Sequence, residues 1–137
     1  MNRVKQKIKE IEENLELIKD NLPNSAGEFK SLGLIKDGIY KRLEYSIQNL
    51  IDIFTMIYSS LNLGVPSSVD SILDELQENK IFSKKIIELV KEMKGLRNIL
   101  AHRYGKIDDG AVFHLLKDKE DDFDKIIVKI EIFISSR

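Results

Sequence analysis

Apolar residues recur at steps of three and four along most of this chain, and the interruptions fall at proline, glycine and serine. Val4, Ile8, Ile11, Leu15, Ile18 and Leu22 keep the step of one helix face. Pro23, which has no backbone N–H to donate, closes it. Ser25-Ala26-Gly27-Glu28 has the form of a capping box, although Gly27, Gly33 and Gly38 weaken any helix in the residues that follow. From Ile39 the pattern is firm. Leu43, Ile47, Leu50, Phe54, Ile57 and Leu61 hold the same spacing for more than about five turns.

Asn62-Leu63-Gly64-Val65-Pro66 breaks that run, and Ser67 with Asp70 supplies an N-cap and a first-turn acid for a short helix ending near Glu78 or Asn79. A further helix runs from about Ser83, with Ile86, Val90, Met93, Leu96 and Leu100 on its buried face, and Tyr104-Gly105 ends it. Asp108 or Asp109 caps the last helix, whose core face reads Val112, Leu115, Phe123, Ile126, Ile130 and Phe133. Val128 to Ile134 is rich in β-branched residues, but a lone strand there would have no pairing partner, so helix is expected. The pattern predicts an all-α fold: an antiparallel four-helix bundle with an additional short helix, forming a single domain over residues 1–137. No internal repeat, linker or low-complexity segment interrupts it.

Composition narrows the class. With 137 residues, 42% of them apolar and 33% charged, the chain is large enough to bury one core and too small for two. Cysteine is absent, which excludes disulfides and thiolate metal sites and suits a reducing compartment. The basic start Met1-Asn2-Arg3-Val4-Lys5 leads into Lys7, Lys9 and Glu10 and not into an apolar run, unlike a secretory signal. Leu50 to Leu63, the longest apolar stretch, contains Asp52 and is too short to span a bilayer. A cytoplasmic protein with no membrane partner is expected.

The net charge of −1 argues at first against nucleic-acid binding, but the charges are unevenly spread. Between Lys91 and Lys106, the cations Lys91, Lys94, Arg97, Arg103 and Lys106 stand against one acid, Glu92. Such a patch attracts phosphate. Inside it lies the chain's densest chemistry, Arg97-Asn98-Ile99-Leu100-Ala101-His102-Arg103-Tyr104. Arginine offers a planar fork of donors to phosphate oxygens, histidine exchanges a proton near neutral pH, and a tyrosine hydroxyl both donates and accepts.

On one continuous helix His102 stands about 140° round from Arg97, whereas Arg97 and Tyr104 nearly share a face. For Arg97 and His102 to converge, either the helix unwinds near Ala101 or a second subunit brings its own copy of the motif opposite. The second arrangement is the better expectation, with some unwinding compatible with it. Two imidazoles from two chains then divide the work, one taking the proton from a ribose 2′-hydroxyl and the other protonating the leaving oxygen. Paired Arg97 side chains hold the scissile phosphate. Such chemistry needs no metal and no cofactor.

The arrangement Arg-Asn-x-x-x-His-x-Tyr resembles the signature of the HEPN superfamily, and in particular its HepT-like toxins. From about Lys41 onward the order Arg42-Leu43-Glu44, Asn49, Asp52-Ile53, Gly64-Val65-Pro66, Leu73 to Leu76 and Leu89 to Met93 is similar to the HepT layout as well. The resemblance implies a HEPN-like bundle, a homodimer, and a metal-independent endoribonuclease acting on an RNA substrate through catalytic Arg97 and His102. Asn98, Arg103, Tyr104 and Lys94 would support or bind the substrate. It also implies a cognate nucleotidyltransferase antitoxin that adds AMP to Tyr104, placing negative charge in the phosphate-binding cleft.

Other features carry less. His114 lies beside Phe113 and Leu115 and reads as a surface or core-edge histidine. The acidic run Asp118 to Asp124 resembles the start of a calcium loop, but Phe123 stands where that loop needs glycine and Lys129 where it needs glutamate. Gly33 to Gly38 has the glycine spacing of a phosphate-binding loop but continues Ile39-Tyr40 in place of Lys-Ser/Thr. Phe54 and Tyr58 read as core or dimer seam. Two rival readings remain open on sequence grounds. One is a non-catalytic helical subunit that binds a nucleotide or a nucleotidyltransferase, and the other is a purely structural helical dimer.

Overall fold

The computed structural model describes residues 2–102, 106–118 and 121–137. Among them are seven helices and no strand: α1 (Asn2–Asn21), α2 (Ala26–Lys30), α3 (Leu34–Ser60), α4 (Val69–Glu78), α5 (Lys84–His102), α6 (Asp109–Asp118) and α7 (Asp121–Ser135). The long helices α1, α3, α5 and α7 form the bundle. Polar pairs fix the direction of α1 against α3, because Lys7 reaches Asn49 and Asp52, Asn49 reaches Glu10, and Arg42 reaches Asn14. Position numbers rise on one helix as they fall on the other, so the two are antiparallel. By the same logic Tyr40 and Glu44 of α3 line a cleft with Leu100 of α5 while Phe54 stacks near Phe82 just before it. Phe82 meets Phe133 while Leu89 to Leu96 lie beside Asp122 and Phe123, which sets α7 antiparallel to α5.

Burial follows the three-four spacing. Ile11, Leu43, Ile47, Leu50, Ile53, Val90, Ile126 and Ile130 are fully enclosed. Each side chain of this kind contributes about 1.5–3 kcal/mol when removed from water. Phe54 and Tyr58 are buried within the chain, so they belong to its core and form no seam. The Tyr58 hydroxyl donates to Glu75 at 2.8 Å, and this bond to the carboxylate holds the phenol above its ordinary pKa. The β-branched Val128 to Ile134 stretch is helical because its inner face packs on α5.

Three boundaries differ from the pattern-based expectation. The helix expected from Ile39 begins at Leu34, and α2 precedes it. Gly33 adopts φ +60, a conformation L side chains rarely take, and so turns the chain between α2 and α3. Phe29, fully buried against Tyr40 and Phe113, anchors α2 despite its glycine. Ser68, not Ser67, caps α4, since only that register lets Ser71 complete the reciprocal box with bonds of 3.1 Å in each direction. The expected single last helix is present as α6 and α7, which have different neighbours: α6 packs on α2, and α7 on α5. Asp108 caps α6 by accepting from Ala111 N–H at 3.0 Å.

Candidate active site

α5 carries most of the motif. It remains helical through His102, so the unwinding near Ala101 that would let Arg97 meet His102 within one chain does not occur. Arg97 is half-buried and His102 exposed, on different sides of the same helix. Arg97 donates from Nη1 to the side-chain oxygen of Asn98 at 3.0 Å, while its Nε is buried and has no hydrogen-bond partner among the described residues. A buried donor without a partner costs about 1–3 kcal/mol. Supplying it with an acceptor, from a ligand or another chain, recovers that cost. Arg103 and Tyr104 lie outside the described residues.

The outer face of α5 is unusual for what it exposes. Gly95, Asn98, Ile99 and His102 are all solvent-facing and lie at helical spacing along one stripe. A methyl group added at Gly95 would meet only open space. Glycine in mid-helix costs about 1 kcal/mol relative to alanine, and no described residue comes close enough to Gly95 to require it.

The basic patch is less open than its sequence suggests. α4 runs antiparallel to α5 and sets Asp70 against Lys94 at 3.2 Å and Asp74 against Lys91. The bond from Lys91 to Asp74 pushes the ammonium pKa up, against a smaller desolvation effect. Two of the cations counted along the sequence are thus already paired. This could not be read from sequence spacing, because it depends on how α4 docks.

Beside the C-terminal end of α5, α3 grips the start of α6. Lys36 donates to Asp109 at 2.9 Å, and the Tyr40 hydroxyl donates to the other oxygen of the same carboxylate. Burial alone would raise the Asp109 pKa, but the bonds from Tyr40 and Lys36, with the Lys36 charge, outweigh it and hold the carboxyl below its ordinary value. No motif-based reasoning pointed to Tyr40, Lys36 or Asp109. His114 is exposed with its ring edge-on to Phe113, apart from this cluster.

The bundle thus carries a guanidinium and an imidazole, Arg97 and His102, on the last two turns of its third long helix. The family model for ribonuclease HepT-like proteins matches residues 11–130, and the chain belongs to that family. It is 28% identical over 100 residues to the mRNA nuclease HepT of Shewanella oneidensis, an alignment spanning 73% of this chain and 75% of the relative. Its fold is similar to that of the tri-AMPylated Shewanella oneidensis HEPN toxin in complex with MNT antitoxin, with TM-score 0.85, 25% identity, and coverage of 96% of this chain and 98% of that one. A toxin–antitoxin crystal structure with AMP-PNP is equally similar, at TM-score 0.85 and 25% identity over 95% of this chain and 98% of that chain.

Proposed function

We propose that this chain is the ribonuclease toxin of a toxin–antitoxin pair, working as a homodimer in the cytoplasm and cutting RNA without a metal. The observation that carries the reading is the exposed stripe of α5. Gly95, Asn98, Ile99 and His102 offer a flat, partly apolar seam, and the bare Gly95 permits close approach of a second backbone. Two α5 helices meeting there bring both His102 side chains to one cleft. Membership of the HepT-like ribonuclease family and the mRNA nuclease relative support the same chemistry.

In that cleft one neutral imidazole removes the proton from a ribose 2′-hydroxyl, and the oxygen attacks the adjacent phosphorus. The second imidazole, protonated, hands its proton to the departing 5′-oxygen. The products are a 2′,3′-cyclic phosphate and a free 5′-hydroxyl. Arg97 of each chain stabilises the charge that builds on the phosphoryl oxygens, and its Nε, unpartnered among the described residues, gains an acceptor. Asn98 orients Arg97, while Arg103 and Tyr104 bind the RNA backbone, joined by Lys94 once RNA draws it from Asp70. A nucleotidyltransferase antitoxin neutralises the toxin by transferring AMP to the Tyr104 oxygen with release of pyrophosphate, as the AMPylated relative in complex with MNT antitoxin suggests.

Expression alone tests the core of this reading. The chain slows growth and degrades RNA, the His102→Ala form does neither, and co-expression with a cognate nucleotidyltransferase gives intact masses raised by whole AMP units. RNA left untouched by purified, folded, unmodified protein overturns it.

A further inference from the structure

We propose that Tyr40 and Asp109 are positioning residues for the cleavage site, forming with Lys36 a clamp that fixes where the chain re-enters the bundle after the motif. The inference rests on the ribonuclease reading above for its catalytic consequence, and on the geometry alone for the clamp itself.

The clamp is built from one helix against the first residue of another. Lys36 and Tyr40 stand four residues apart on α3, on the same face, and each takes one oxygen of the Asp109 carboxylate. The Asp109 and Lys36 side chains are only 18% and 20% exposed, and Tyr40 is 3% exposed. Helix α6 does not need Asp109 as its cap, since the neighbouring Asp108 performs that task. The carboxylate therefore serves a tertiary contact.

That contact bears directly on the motif through chain connectivity. α5 is fixed in the bundle through His102, and the clamp fixes the chain again at Asp109. The intervening span carries Arg103 and Tyr104, and the positions on either side of it, His102 and Asp109, are both held by helices of the bundle. Tyr40 also lines one cleft with Leu100, the buried residue of α5 between Arg97 and His102. One phenol thus borders the motif helix and holds Asp109, the first residue of α6. Placement of reacting groups matters steeply: a shift of about 1 Å can cost about 100-fold in rate.

Tyr40→Phe removes the hydroxyl and keeps the ring packed edge-on against Phe29, so the variant retains its fold. The test compares wild type, Tyr40→Phe, Asp109→Asn and the double variant by steady-state RNA cleavage, thermal unfolding and amide hydrogen exchange. Each single variant is expected to lower kcat by about 10- to 100-fold with KM changed less than about two-fold. Exchange should quicken across residues 106–111 and stay as in wild type in α1. The double variant should be no slower than the worse single, because both changes open one contact. Wild-type kcat in Tyr40→Phe overturns the proposal, as does a loss accompanied by faster exchange throughout the bundle. If the wild type itself fails to cleave RNA, the ribonuclease reading falls. The exchange comparison still decides the clamp, which unchanged exchange across 106–111 in Tyr40→Phe overturns.

Discussion

Arg97 and Asp109 show how differently two charged side chains can be partnered within a few turns of each other. Asp109 has both oxygens satisfied, whereas Arg97 keeps a buried Nε with no acceptor among the described residues. An arginine serving stability alone would be paired like Asp109. Arg97→Ala is therefore expected to cost little in thermal stability and about 100- to 1,000-fold in kcat, read by calorimetry and single-turnover cleavage together. Asp109 gives a pH signature with a definite sign. Its carboxyl is held below the ordinary value in the fold, so its contribution is fully present above the unfolded pKa of about 3.9 and is lost as pH falls through the lower folded value. The midpoint of thermal unfolding should then drop more steeply below about pH 4 for wild type than for Asp109→Asn. Parallel curves would show that the clamp contributes nothing to the balance between folded and unfolded chains.

Helices α1, α3, α4 and α5 were legible in the sequence because each buries one stripe, and apolar residues at three-four spacing share a face only on a helix. What escaped was set by contacts across the fold. The start of α3 and the presence of α2 depend on Phe29 packing against Tyr40 and Phe113, which outweighs the low helix propensity of Gly27. The motif itself was legible as Arg97 and His102, and so was their separation by more than a third of a turn. The neutralisation of Lys91 and Lys94 was not, because Asp74 and Asp70 reach them only after α4 folds back along α5. These exposed pairs add little to stability, but they hold two cations away from RNA. Asp70→Asn with Asp74→Asn should tighten RNA binding and steepen its salt dependence by up to two phosphate contacts, measured by titration at several salt concentrations. Unchanged affinity would place Lys91 and Lys94 away from the RNA path. Gly95→Ala separates two roles of α5 in the same way. Within one chain it should stabilise the helix by about 1 kcal/mol, while a seam at Gly95 requires the added methyl to weaken dimerisation, seen as a raised dissociation constant in sedimentation.

At the scale of the molecule, one chain holds Arg97 and His102 on different sides of an unbroken helix. His114, the remaining histidine, sits beside Phe113 on α6. Acid and base must therefore come from two chains if the chemistry is as proposed. The small net charge, −1, suits this design, because attraction for RNA is needed only where two motifs meet. Pairing wild-type and His102→Ala chains carrying different tags, and isolating the mixed dimer, tests the shared cleft most directly. A composite site predicts that the mixed dimer cleaves RNA at least about 10-fold below half the wild-type rate, since one of its two imidazoles is gone. A mixed dimer that retains half the wild-type rate would mean that each chain cuts on its own, and would contradict the account.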